Sequence, residues 1–89
     1  MQVNKQRIEK MRVLLNAALL PDTLNIIDES HKHVGHAGAK SGAGHFKIII
    51  SAKSLLGKPK LQVHRLIYKA LASMMPKDIH ALSILNSTD

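Results

Sequence analysis

The sequence predicts an α+β fold in the order helix, strand, strand, helix, strand, with a three-stranded sheet covered by helices. Three observations carry this prediction. Apolar residues recur at steps of three and four over residues 8–19 and 63–74, the period of one helix face. Short β-branched runs occur near residues 24–27, 46–50 and 79–85, the signature of strands. Between the first two of these runs, residues 28–46 hold four of the six histidines and four of the five glycines, a composition that suits neither helix nor strand because glycine loses most backbone entropy when fixed in either. That segment reads as the long connection of a β-hairpin.

The elements follow in order. Asn4 is placed to cap the first helix, with Val3 and Ile8 spaced for a hydrophobic staple. Ile8, Met11, Leu15, Ala18 and Leu19 form its apolar stripe, and Lys5, Arg7, Glu9, Lys10 and Arg12 form a solvated face. Pro21-Asp22 ends it in a turn. Leu24 and Ile26 share one face of the first strand and Ile27 the other; in the second strand Phe46, Ile48 and Ile50 alternate with Lys47, Ile49 and Ser51, and the first set faces the core. Residues 54–59, with Gly57 and Pro59, form a short connection with room for one helical turn. The second helix starts at Pro59 or Lys60 and runs to about Met75, its stripe being Val63, Leu66, Ile67, Ala70, Leu71 and Met74. Met74 and Met75 read as gap-filling core, and Pro76 stops the helix. Residues 79–85 make the third strand, with His80 on the face of Leu82 and Ile84, and residues 86–89 fray.

Composition bounds the function. The 89 residues make one domain spanning the whole chain, and at 45% hydrophobic it has enough apolar side chain for a modest core. There is no cysteine, so this chain by itself builds no disulfide, no zinc ribbon and no thiolate-held iron-sulfur cluster. A net charge of +7 favours polyanions, and equally a soluble surface. Phe46 and Tyr68 are the only aromatics, too few for a base-stacking platform. No apolar run approaches the roughly 20 residues that span a bilayer. The first residues lack the apolar stretch of a secretory leader, so a cytoplasmic, non-membrane protein is expected.

Catalytic constellations are scarce, and no catalytic residue is assigned. Asp28 and Glu29 are adjacent, so on a strand they point to opposite faces and make a poor acid/base pair. Ser30-His31 is not a nucleophile elbow, and Gly35-His-Ala-Gly38 matches the phosphate-clamping Gly-x-x-Gly only literally, between strands rather than helices. Metal binding has more support. His31, His33 and His36 share one loop at a spacing that lets two of them meet a common ion. Spacing does not choose among the three, and a polar loop that picks up adventitious zinc has the same pattern. His45 begins a strand, where it is positioned to hydrogen-bond the loop; His64 lies beside the core stripe of the second helix as a partly buried histidine.

Four ordered motifs then add a resemblance: Asp28-Glu-Ser-His-Lys-His-Val-Gly-His-Ala-Gly, His45-Phe46, Gly57-Lys58 followed by His64-Arg65-Leu66-Ile67-Tyr68, and Ile79-His80-Ala81-Leu82. Together, over residues 24–85, they resemble the BolA family. The resemblance implies a fold like class II KH domains, with a mixed sheet. It implies partnership with monothiol glutaredoxins carrying Cys-Gly-Phe-Ser, in iron-sulfur cluster handling or iron regulation. The family's near-invariant C-terminal histidine falls on His80, and its histidine-or-cysteine loop position on His33, with His36 and His31 as alternates. In this reading the chain is a non-enzymatic adaptor, and a 2Fe-2S cluster is shared with the glutaredoxin and glutathione; the isolated chain, a monomer or weak homodimer, binds none. Replacing thiolate by neutral imidazole raises the reduction potential, and since imidazole must be unprotonated to bind, the complex weakens below about pH 6. Some members are described instead as transcriptional regulators, which implies DNA contacts from Lys58, Lys60, Arg65 and Lys69 on the basic second helix. Val63 stands where the family's Arg-His-Arg pattern has its first arginine, so that helix carries one charge fewer.

Overall fold

The computed structural model of the protein describes residues 2–30 and 43–88; His31, His33 and His36 lie outside the described residues. The chain opens with α1 (Gln2–Leu19), which buries Met11, Leu15 and Leu19 and leaves its charged face outward. Two expectations change here. Asn4 lies inside the helix and is buried, so it is not a cap; its amide is used elsewhere. Ala18 is exposed, at the rim of a hollow it lines with Leu19, Leu66, Lys69 and Ala70. Leu20, 80% exposed, takes a left-handed φ of 49° and ends the helix before Pro21.

β1 (Thr23–Asp28) and β2 (Gly44–Ser51) are antiparallel, with Thr23 opposite Ser51 and Asp28 opposite Phe46. β2 therefore starts two residues earlier than its β-branched run suggests. Gly44 is drawn into it by packing, since a Cβ there would lie 2.5 Å from two ring carbons of Phe46. Only glycine leaves room for those ring atoms against the backbone. Phe46, Ile48 and Ile50 all point inward and are at most 1% exposed, while Ile27 points outward from β1; the period-two reading of both strands holds. Burying each such side chain stabilises by roughly 1.5–3 kcal/mol.

A 3-10 turn (Lys53–Leu55) and Gly57, at φ 74°, lead to α2 (Lys60–Ala70), which buries Val63 and Ile67. The expected helix to Met75 is broken. Leu71 leaves helical geometry, Ala72–Met74 forms a 3-10 turn, and Met75 is extended at ψ 142°, the region imposed on a residue before proline. β3 (Ile79–Asn86) then pairs in parallel with β2, giving the sheet order β1-β2-β3. The sheet is mixed, and α1 and α2 pack on one face of it over Phe46, Ile48 and Ile50. The residues after β3 are held: Ser87 N–H donates to the Ile50 carbonyl at 2.7 Å, and Ala52 N–H donates to Thr88 Oγ1 at 3.0 Å. Fraying of 86–88 is thus corrected, because those groups satisfy the end of the neighbouring strand.

Candidate functional site

Parallel pairing across the α2 crossover brings the starts of β2 and β3 to the same end of the sheet, the end where β1 finishes at Asp28. The register there contains one irregularity. Gly44 lies opposite Ile79 but His45 lies opposite Ala81, so His80 is an extra residue on β3, a bulge that re-aims its side chain. This alters the expected facing. Leu82 and Ile84 pack against the core, Ile79 before the shift is fully buried, and His80 is exposed. Strict alternation cannot put Ile79 and Leu82 inside together; the extra residue does.

The His80 ring is not isolated. Its centroid is 5.0 Å from that of His45, the planes tilted by 53°. His45 is only 5% exposed, so a buried imidazole backs an exposed one. Two imidazoles on one tetrahedral ion would have centroids roughly 5 Å apart, and a tilted ring pair without metal has the same spacing. Burial distinguishes the two: the His80 ring is open to the surface, and the His45 ring packs behind it. The hydrogen bonding expected of His45 with the loop is made by its backbone. Its N–H donates to Ser30 Oγ at 3.1 Å and its carbonyl accepts from Glu29 N–H at 2.8 Å. Beside it lies a pocket of about 130 Å³ that Glu29, Ala81 and Ser83 help to line.

A polar clasp holds this end together. Asn4 Nδ2 donates to Asp28 Oδ2 at 3.0 Å and to Ser30 Oγ at 3.3 Å. Arg7 Nη1 donates to Asn4 Oδ1 at 2.9 Å, and Arg7 Nε lies 3.4 Å from Asp78 Oδ1. Asp78 in turn accepts the Gly44 N–H through its carbonyl at 2.9 Å. One helix turn of α1 therefore reaches the exit of β1, the entry of β2 and the entry of β3. Burial pulls the Asp28 carboxyl upward, but hydrogen bonds from Ser30 and from Asn4 outweigh it and hold the group below its ordinary value of 3.8.

The basic residues of α2 divide. Lys58 and Lys60 line one groove with His64. Lys69 is nine residues after Lys60, which turns it by about 180° to the opposite side of the helix, and it lines the hollow against α1. Arg65 is exposed between them. The four are not gathered on one face. Among the described residues, no three His, Cys, Asp or Glu side chains are grouped to hold an ion, so a metal here needs ligands from residues 31–42 or from a partner.

A family model described as BolA-like protein matches residues 15–89. The chain belongs to the BolA family. Among curated relatives, chloroplastic BOLA1 of Arabidopsis thaliana is 37% identical over 87 residues, covering 94% of this chain and 54% of the relative. The DNA-binding transcriptional regulator BolA of Escherichia coli is 36% identical over 80 residues, covering 90% of this chain and 70% of that protein. The solved BolA domain of SufE1 from Arabidopsis thaliana matches with a TM-score of 0.79 at 34% identity, covering 92% of this chain and 91% of that one. The BolA fold of this chain, α+β with a mixed three-stranded sheet, is thereby established. This BolA-family chain spans about half the length of the Arabidopsis relative. No helix among the described residues is long and apolar enough to cross a membrane.

The pairing of His45 with His80 is the part of the site that sequence reasoning missed. The signal was present in the crossover: strand, helix, strand implies a parallel pair, and a parallel pair brings its two starting residues together.

Proposed function

We propose that this chain is a non-enzymatic adaptor that joins a monothiol glutaredoxin and offers histidine nitrogen to a shared 2Fe-2S cluster. The observation that carries the reading is the exposed ring of His80, supported by the buried ring of His45, at the sheet end that holds Ser30 and Ala43. The donor set agrees in kind. A chain without cysteine supplies imidazole while a partner and glutathione supply thiolates. His33, with His36 and His31 as alternates, is the second nitrogen donor in this proposal. When bound, the cluster supplies one-electron chemistry or is itself the cargo; the chain's own residues hold and orient the imidazole.

The test mixes the chain with a monothiol glutaredoxin, glutathione, iron and sulfide and follows the visible spectrum. His80→Ala is expected to change or abolish the mixed-complex spectrum. An unchanged spectrum in that variant removes His80 from the ligand set, and a tight zinc complex of the isolated chain would favour a simple metal-binding loop instead. We place this activity in the cytoplasm, where thiols stay reduced, while noting that the Arabidopsis relative is named chloroplastic.

A second reading, DNA binding, is favoured by the name of the Escherichia coli relative and by the clustering of Lys58 and Lys60. Arg65 is exposed on the same helix, whereas Lys69, turned toward α1, would have to make a separate contact. Phosphate contacts make affinity fall with salt whatever the sequence, so the deciding measurement is preference for one duplex over scrambled competitor at physiological salt. Equal binding to both leaves the adaptor reading in place.

A further inference from the structure

We propose that the outer edge of β3 and the groove beside it receive an extended acidic segment of a partner protein, added to the sheet as a fourth strand. This surface lies away from His80: six residues of strand, about 20 Å, separate that histidine from Asn86.

The edge itself is the first reason. β3 is terminal in the sheet. Among the described residues, no hydrogen bond outside the helices and strands reaches the backbone of its eight residues, so the groups that turn outward have no partner among them. Edge strands are normally blunted by charge, proline or a covering element. Ile79–Asn86 contains neither a charged residue nor a proline, although 19 of the 89 residues are Lys, Arg, Asp or Glu (13 and 6). Its bulge disturbs only the start, at His80. The remaining length is a regular template.

The groove is the second reason. Lys58, Lys60, Val63 and His64 form one wall and Ile84, Leu85 and Asn86 the other, around a volume of about 310 Å³. Ile84 and Leu85 are consecutive strand residues and point to opposite faces of the sheet. A hollow that both of them help to line reaches the backbone at the end of the strand. Leu85, paired with Ile49 on the face away from the core, is 50% exposed, and an added strand would flank it with its own alternate side chains.

Charge selects the occupant. The lining holds two lysines and a histidine but no carboxylate, and the salt bridges among the described residues join Arg7 to Asp78 and Arg12 to Glu9, not either lysine. A second copy of the chain would bring another net +7, and its β3 offers no Asp or Glu to Lys58 or Lys60. A single-stranded nucleic acid matches the charge, yet neither aromatic residue lines the groove, and bases do not complete a strand's hydrogen-bond ladder. An acidic peptide satisfies both the lysines and the backbone.

The probe is a pool of short labelled peptides with Glu at alternate positions and Val, Ile, Leu or Phe between them, added to the full chain. Saturable binding by fluorescence anisotropy is expected, with amide shifts concentrated on Ile79–Asn86. N-methylation of alternate peptide bonds, and separately the double change Lys58→Glu and Lys60→Glu, should each weaken binding by at least about tenfold with the circular dichroism unchanged. The proposal is overturned if the pool does not bind, if N-methylated peptides bind equally well, if oligothymidylate displaces the pool through the same residues, or if the edge is instead occupied by self-association that Leu85→Lys abolishes.

Discussion

The two ends of β3 are built on opposite principles. At its start, side chains from α1, β1 and the Asp78 turn satisfy one another through Asn4, Arg7, Asp28, Ser30 and the His45 backbone. At its end, among the described residues, the outer backbone edge has no strand beside it and the adjoining groove holds two lysines without a carboxylate. The closed end defines one geometry for two imidazole rings, as a ligand site requires. The open end gives up such definition and gains a surface on which another chain can finish the sheet.

Substitutions that act on only one end sharpen this contrast. The largest stability effect is expected for Gly44→Val, whose Cβ falls on the Phe46 ring; overpacking at the closed end should cost about 3 kcal/mol, seen as a lower urea midpoint with little change in slope. Asn4→Ala comes next. It strips Asp28 and Ser30 of a donor and Arg7 of an acceptor, so a loss of about 2 kcal/mol is expected, together with weakened ring contact between His45 and His80 in NMR spectra. The third effect is a pH dependence. The Asp28 carboxyl is held below its ordinary 3.8 in the fold, so the folded state prefers it ionised. Its stabilising contribution is complete above that value and is lost as pH falls through the depressed folded one. Acid titration of stability should therefore show a loss beginning near pH 4 that shrinks in Asp28→Asn. The smallest stability effect, within about 0.5 kcal/mol, is expected for Leu85→Lys at the open end, where the side chain is half exposed. A large loss there would mean that the edge is structural rather than available.

Most of the fold was legible because burial imposes a period on the sequence. Met11, Leu15 and Leu19 on α1, Val63 and Ile67 on α2, and Phe46, Ile48 and Ile50 on β2 all appear inside, at the spacing their elements demand. The family motifs added the parallel placement of the last strand. What pattern alone could not supply is contact between distant polar groups. Asn4 read as a cap because that is the local use of an asparagine; its partners lie 24 and 26 residues away. His80 read as facing Leu82 because alternation assumes an unbroken register, and the extra residue on β3 is set by how two strands meet. Gly44 read as loop for the same reason: only the ring of its second neighbour explains why a glycine belongs in the strand.

The bulge at His80 also bears on the order of assembly. Its counterpart, His45, lies 35 positions earlier (80 − 45), and the two strands that carry them meet only through a helical crossover. Ring contact therefore waits on closure of a long loop, a slow step compared with winding α1 or zipping a local turn. A chain that has not yet laid down its final strand holds the His45 ring without the His80 ring beside it. On the adaptor reading proposed above, such a nascent form lacks the exposed imidazole that would face the cluster.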